Sequence, residues 1–133
     1  MSLRHARNKQ DDEDATQLKF GPEFSGDVQK GCLTISEVKI LLEQLGKKSD
    51  NAVFKKTHDY VTTFARLDDS ETSQSARTVF VESELADFEQ VQIINLCPAT
   101  SEEAKTLIPS LAERDDDMLQ QYLNQIAALR KFQ

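Results

Sequence analysis

An all-α fold follows from three features of the sequence. Helix-start signals recur, each a Thr or Asp placed just before an apolar stripe; a short helix is bracketed by Pro98 and Pro109; and the one strand-like stretch, around Leu18, has no second strand of comparable quality to pair with. Thr34 with Glu37 forms a capping box, and Ile35, Val38, Leu41, Leu42 and Leu45 then fall on one stripe until Gly46 supplies a stop. Asp50 is the expected cap of the next helix, which carries a broad aromatic face of Val53, Phe54, Thr57, Tyr60, Val61, Phe64 and Ala65. Asp69 or Ser70 begins a third, with Ala76, Val79 and Phe80 inward on a weaker stripe. Asp87 with Gln90 starts a fourth that turns Phe88, Val91, Ile94 and Leu96 to the core.

Between Asn95 and Leu111 the punctuation is dense. Pro98 ends the fourth helix, Thr100 with Glu103 caps a fifth, and Pro109 forces that one to finish near Ile108, with Ala104, Leu107 and Ile108 buried. The last helix has the clearest signals. Asp115, Asp116 and Asp117 lie at its start and Arg130 and Lys131 at its end, as the helix dipole favours, with Leu119, Tyr122, Leu123, Ile126 and Leu129 between them.

The N-terminal region is different in kind. Residues 1–17 pair a basic cluster, Arg4, Arg7 and Lys9, with an acidic one, Asp11 to Asp14, and hold almost nothing apolar, a composition expected to be disordered in isolation. Leu18 and Phe20 then share one face of an extended strand, with Gly21 and Pro22 breaking the pattern before Phe24. Such a strand fits either addition to another chain's sheet or packing within its own. With the polar stretch from Gly46 to Asn51 as a hinge, the expected division is a charged tail over 1–17, a strand and first helix over 18–46, and a helical domain over 47–133.

The chain has 133 residues, long enough for one ordinary core, and a formal charge of −7 with a pI near 4.8. That balance argues against a phosphate-tracking surface as its main business. Cys32 and Cys97 lack the spacing of a zinc framework or a disulfide scaffold, so a reducing compartment is expected. There is no apolar run of the ~20 residues that span a bilayer, and no secretory signal, so the expectation is an intracellular soluble protein with no membrane partner.

Candidate chemical sites each have a plainer explanation. His58 has no second ligand at metal-binding spacing and is expected as an exposed helix residue; His5 lies in the tail. Cys97, beside Pro98, reads as a small hydrophobe rather than a nucleophile. The three aspartates lack the alternating spacing and turn glycine of a calcium loop, and capping explains them better. Arg130 and Lys131 complement a helix C-terminus as well as they would RNA. With no Gly-rich phosphate loop, metal cluster or nucleophile paired with a base, an enzyme is not expected, nor any cofactor.

The phrase Leu96-Cys97-Pro98, Glu102-Glu103-Ala104, Ile108-Pro109-Ser110-Leu111 closely resembles the family of stalk subunits of eukaryotic RNA polymerase II, its fourth-largest subunit. The rest of the chain is similar in order: an acidic tail leading to Ala15-Thr16-Gln17-Leu18, then Gly21-Pro22-Glu23-Phe24, LTISEVKILLE from Leu33 to Glu43, Val53 to Glu71 with its Tyr-Val and Phe-x-Arg, and the ending Arg130-Lys131-Phe132-Gln133. Departures lie in the connection after Leu45 and in Ser and Thr at often apolar places of the third helix.

The resemblance implies a non-catalytic subunit whose helical domain over 47–133 is HRDC-like, the fold also found at the C-termini of helicases and RNase D. It implies a heterodimer with the seventh-largest subunit, docked on the polymerase II core beside the RNA exit path, with roles in initiation, clamp positioning and nascent-RNA handling through the heterodimer. The implied location is the nucleus, with the cytoplasm second. The equivalent subunit of RNA polymerase III is the nearer rival, and a free-standing helical nucleic-acid-binding module the more distant one. From the residues themselves comes a narrower expectation: the extended segment with Leu18, Phe20 and Phe24 adds to a partner's sheet, while Leu33, Ile35, Val38, Leu41 and Leu42 cover its apolar face.

Overall fold

The computed structural model describes residues 31–46 and 51–131, and every regular element among them is helical. Six α-helices follow one another: α1 (Ile35–Leu45), α2 (Ala52–Phe64), α3 (Ser70–Val79), α4 (Asp87–Leu96), α5 (Ser101–Leu107) and α6 (Asp116–Lys131), with a 3-10 turn at Pro109–Leu111 between the last two. The all-α expectation holds. The extended segment around Leu18, Phe20 and Phe24 lies outside the described residues.

Local signals account for most helix ends. Thr34 accepts from the Glu37 N–H while the Glu37 carboxylate takes the Thr34 N–H, closing the capping box at α1. Gly46 ends that helix at φ 71°, a left-handed region that favours glycine, and its N–H returns to the Glu43 carbonyl. Asp69 caps α3 and Thr100 caps α5 through the N–H groups three residues on. Asp115 accepts the Met118 N–H at the head of α6, so the aspartate run does serve as a cap.

Two starts differ from expectation. Asn51, not Asp50, caps α2, accepting from the Val53 N–H. At α4 the cap position is Ala86, and Asp87 stands one residue inside. Glu89 satisfies the Ala86 N–H, and the Asp87 carboxylate reaches the Cys32 N–H and the Arg77 guanidinium outside its own helix.

The core is the work of α3 to α6. Ala76 and Phe80 from α3 and its end, Ile93 and Ile94 from α4, Ala104 and Ile108 around α5, Leu111, and Leu119, Leu123 and Ile126 from α6 close on one another, with Leu67 and Leu85 supplied by the connections. Phe80 meets Tyr122 ring to ring at 5.2 Å between centroids. The α5 helix has only seven residues, too few to persist alone in water, so Ala104 and Ile108 hold it by burial. Leu96 and Leu107, expected inside, are exposed. Each is the last residue of its helix, where the chain turns away and Ile93 or Ile108 takes the inward position.

One charge is held within this unit. Glu89 is buried, and besides the Ala86 N–H it accepts from Ser110 Oγ at 2.8 Å and from the Arg114 guanidinium at 3.4 Å, so the start of α4 is tied to the 3-10 turn before α6.

Neither α1 nor α2 contributes to that core cluster. They pack on each other, and α1 also meets α3. Truncation of Leu123 to alanine is therefore expected to lower the unfolding free energy of the α3 to α6 bundle by ~2–5 kcal/mol. Chemical denaturation would check this, and a change under ~0.5 kcal/mol, the range of a surface site, would contradict the packing.

Candidate partner-binding surface

The α1 helix sits on the bundle by its polar end. Its fully buried residues are Thr34, at the cap, and Ser36, whose Oγ accepts the Leu67 N–H at 3.0 Å. Ile35 donates its N–H to Asn95 Oδ1 of α4 at 2.9 Å. The Arg77 guanidinium, from α3, completes the attachment: it pairs with Glu37 at 2.8 Å and with Asp87 at 3.0 Å, and it donates to the Cys32 carbonyl. The second oxygen of Asp87 takes the Cys32 N–H at 3.0 Å, so both polar groups of that residue's backbone are held by one ion pair.

Burial raises the Glu37 carboxyl, but hydrogen bonds from Arg77 and Thr34, with the Arg77 charge, outweigh it and hold the group below its ordinary value. Burial likewise opposes the Arg77 charge, and Glu37 and Asp87 more than restore it. Cys32 is pushed up, first by burial and then by the Asp87 charge, so its thiol stays protonated.

Because polar groups make this attachment, the apolar stripe of α1 is left partly uncovered. Ile35, Val38 and Leu42 are half-buried, whereas Leu41 is 46 % exposed, Leu45 66 % exposed, and Leu33, just before the helix, is exposed too. On α2 the broad aromatic face also points out. Val53, Tyr60 and Phe64 recur at helical spacing with exposures of 69 %, 56 % and 50 %, and only Val61 is buried. Tyr60 and Phe64 lie ring to ring at 4.8 Å.

Five of the eight residues expected to bind a partner, Leu33, Ile35, Val38, Leu41 and Leu42, thus fall on or just before one helix; Leu18, Phe20 and Phe24 are outside the described residues. Two sets were not foreseen. The broad aromatic face of α2 is legible as a face, but not its outward turn, because periodicity marks an apolar face without saying what covers it. Arg77, Asp87 and Asn95 give no local signal at all, since their partners lie 10 to 60 residues away.

The other candidate residues stay structural. His58 is half-buried rather than exposed, stacked on Phe54 one turn earlier. Cys97 ends α4 at φ 47°, packs against the core, and has its thiol pushed up by burial against the pull of Arg130 and Arg66. Asp116 pairs with Lys105 at 2.6 Å. Among the described residues no three His, Cys, Asp or Glu side chains are placed to share a metal ion, and no helix is long and apolar enough to cross a membrane.

An all-helical chain in which α3 to α6 close one apolar core, with α1 and α2 packed on each other beside it, is the class that the fold defines. The chain belongs to the RNA polymerase Rpb4 family, whose model matches residues 32–130. It is 40 % identical over 132 residues to DNA-directed RNA polymerase II subunit rpb4 of Schizosaccharomyces pombe, an alignment covering 92 % of this chain and 95 % of that one. It is 31 % identical to DNA-directed RNA polymerase II subunit 4 of Arabidopsis thaliana, over 93 % and 98 % of the two chains, and 35 % identical to the Dictyostelium discoideum rpb4 subunit, over 92 % of each.

The depressed carboxyl of Glu37 gives the attachment of α1 a pH dependence. A group whose value is lower folded than unfolded stabilises fully above its unfolded value, near 4.3 for glutamate, and that contribution fades as pH falls through the folded value. Thermal melts from about pH 6 to about pH 3 should show a shallower loss of stability for Glu37→Gln than for the parent chain. Parallel curves would contradict the assignment.

Proposed function

We propose that the chain acts as a non-catalytic stalk subunit of RNA polymerase II. In this reading it forms a heterodimer with the seventh-largest subunit, and the pair docks on the polymerase core, in the nucleus, beside the path of the emerging transcript. Initiation, clamp positioning and nascent-RNA handling are its proposed tasks. The supports are membership of the Rpb4 family, relatives from three organisms named as RNA polymerase II subunits, and the exposure of Leu33, Leu41 and Leu45 on and beside α1. Those same names favour polymerase II over the polymerase III counterpart.

Within the chain the proposed labour is divided at residue 46. The segment 18–46 supplies the partner contacts: Leu18, Phe20 and Phe24 as an added strand, and Leu33, Ile35, Val38, Leu41 and Leu42 as the apolar cover. Residues 47–133 form the proposed HRDC-like domain, and the partly exposed leucines of α1 are the observation that carries the assignment. Exposed apolar groups of this size gain ~1.5–3 kcal/mol each when an interface covers them.

Affinity purification of the full chain from its own cells at moderate salt, followed by mass spectrometry, tests the reading. The seventh-largest subunit and the polymerase II core are expected to be retained; recovery of the polymerase III set, or of neither, would overturn it. Aspartate at both Leu41 and Leu45 should weaken retention of the partner by about tenfold or more, from the loss of apolar burial, while α3 to α6 stay folded. The double change Leu18→Asp with Phe20→Asp is expected to act in the same direction, and unchanged co-purification would remove that segment from the interface.

A further inference from the structure

The surface just described is only as well placed as the helix that carries it. Burial in the core does not fix α1, because Leu41 and Leu45 face outward and the core cluster contains none of its residues. Its seating on the bundle comes instead from directed polar contacts: Ser36 with the Leu67 N–H, Asn95 with the Ile35 N–H, and above all Arg77, which reaches Glu37 of α1, Asp87 of α4 and the Cys32 carbonyl at once. Directed contacts fix orientation more sharply than apolar ones, since a planar guanidinium accepts only a few arrangements of its acceptors.

We propose that Arg77 is a positioning residue for partner binding. It locks α1 on the bundle in the orientation that presents Leu41 and Leu45, and it holds Cys32, where the chain enters that helix, at both its N–H and its carbonyl. The proposal rests on the reading that α1 contributes to the partner interface. Arg77 itself touches no partner; its effect is to spare the complex the cost of ordering α1 at the moment of binding, which appears as affinity. Lysine cannot replace it fully, because one ammonium cannot reach three acceptors with the fork of a guanidinium.

The test uses the full chain, with amide exchange read separately in α1 and α6 and affinity measured for the partner chain of the proposed heterodimer. Arg77→Met should raise exchange over Ile35–Leu45 by about tenfold or more, the scale of losing charge-assisted hydrogen bonds, leave Leu119–Ile126 protected, and weaken the partner about tenfold. Arg77→Lys should fall between. The Leu41→Asp, Leu45→Asp double variant should weaken the partner equally with α1 still protected.

Parent-like exchange in α1, or loosened exchange with parent-like affinity, would overturn the positioning role while the double variant still confirmed the surface. Should the double variant also bind normally, the surface reading itself falls. If Arg77→Met lowers protection in α6 as well, Asn95→Ala, which removes only the Ile35 contact, is expected to loosen α1 and weaken the partner, and parent-like behaviour of that variant would overturn the proposal.

Discussion

Arg77 sits where three stretches of chain meet, and the arrangement of the described unit turns on its guanidinium. A carboxylate from α1, a carboxylate from the start of α4 and a backbone carbonyl from Cys32 all converge on it. Burying a charge is costly unless it is paired and hydrogen-bonded, and here both conditions are met from separate elements. The pairing also explains an oddity of α4. Asp87 would make an ordinary N-cap, yet the helix is capped at Ala86 and Asp87 turns to Arg77 and the Cys32 N–H.

The bundle and the outer helix pair are held by different forces. Apolar burial closes α3 to α6, with Phe80, Ile93, Leu119 and Leu123 inside, and it specifies density more than direction. Polar contacts hold α1, and they specify direction while leaving apolar surface free. The helix buries Thr34 and Ser36 at its polar start, half-buries Ile35, Val38 and Leu42, and shows Leu41 and Leu45. Those exposed leucines set α1 apart from the helices that close the core.

What could be read in the sequence follows the range of the interactions. The capping box at Thr34, the stop at Gly46, the cap at Asp69 and the short helix between Pro98 and Pro109 all depend on neighbours within a few residues, and each appears as expected. The contacts that seat α1 span 31 to 60 residues and leave no periodic trace. Apolar periodicity finds faces but not their coverings, so the stripe of Val53, Tyr60 and Phe64 is legible while its exposure is not. The stripe of α1 is legible because it is regular, while the exposure of Leu41 and Leu45 on it depends on contacts far along the chain.

That separation along the chain has a consequence for the order in which the protein is made. Chains tend to fold from the N-terminus as they leave the ribosome, at about 5–20 residues per second. The α1 helix is made early, but of the residues that seat it Arg77 comes only near the end of α3, and Asp87 and Asn95 only with α4. For those seconds α1 has only α2 to pack on, and its exposed leucines are open to holding proteins on the nascent chain.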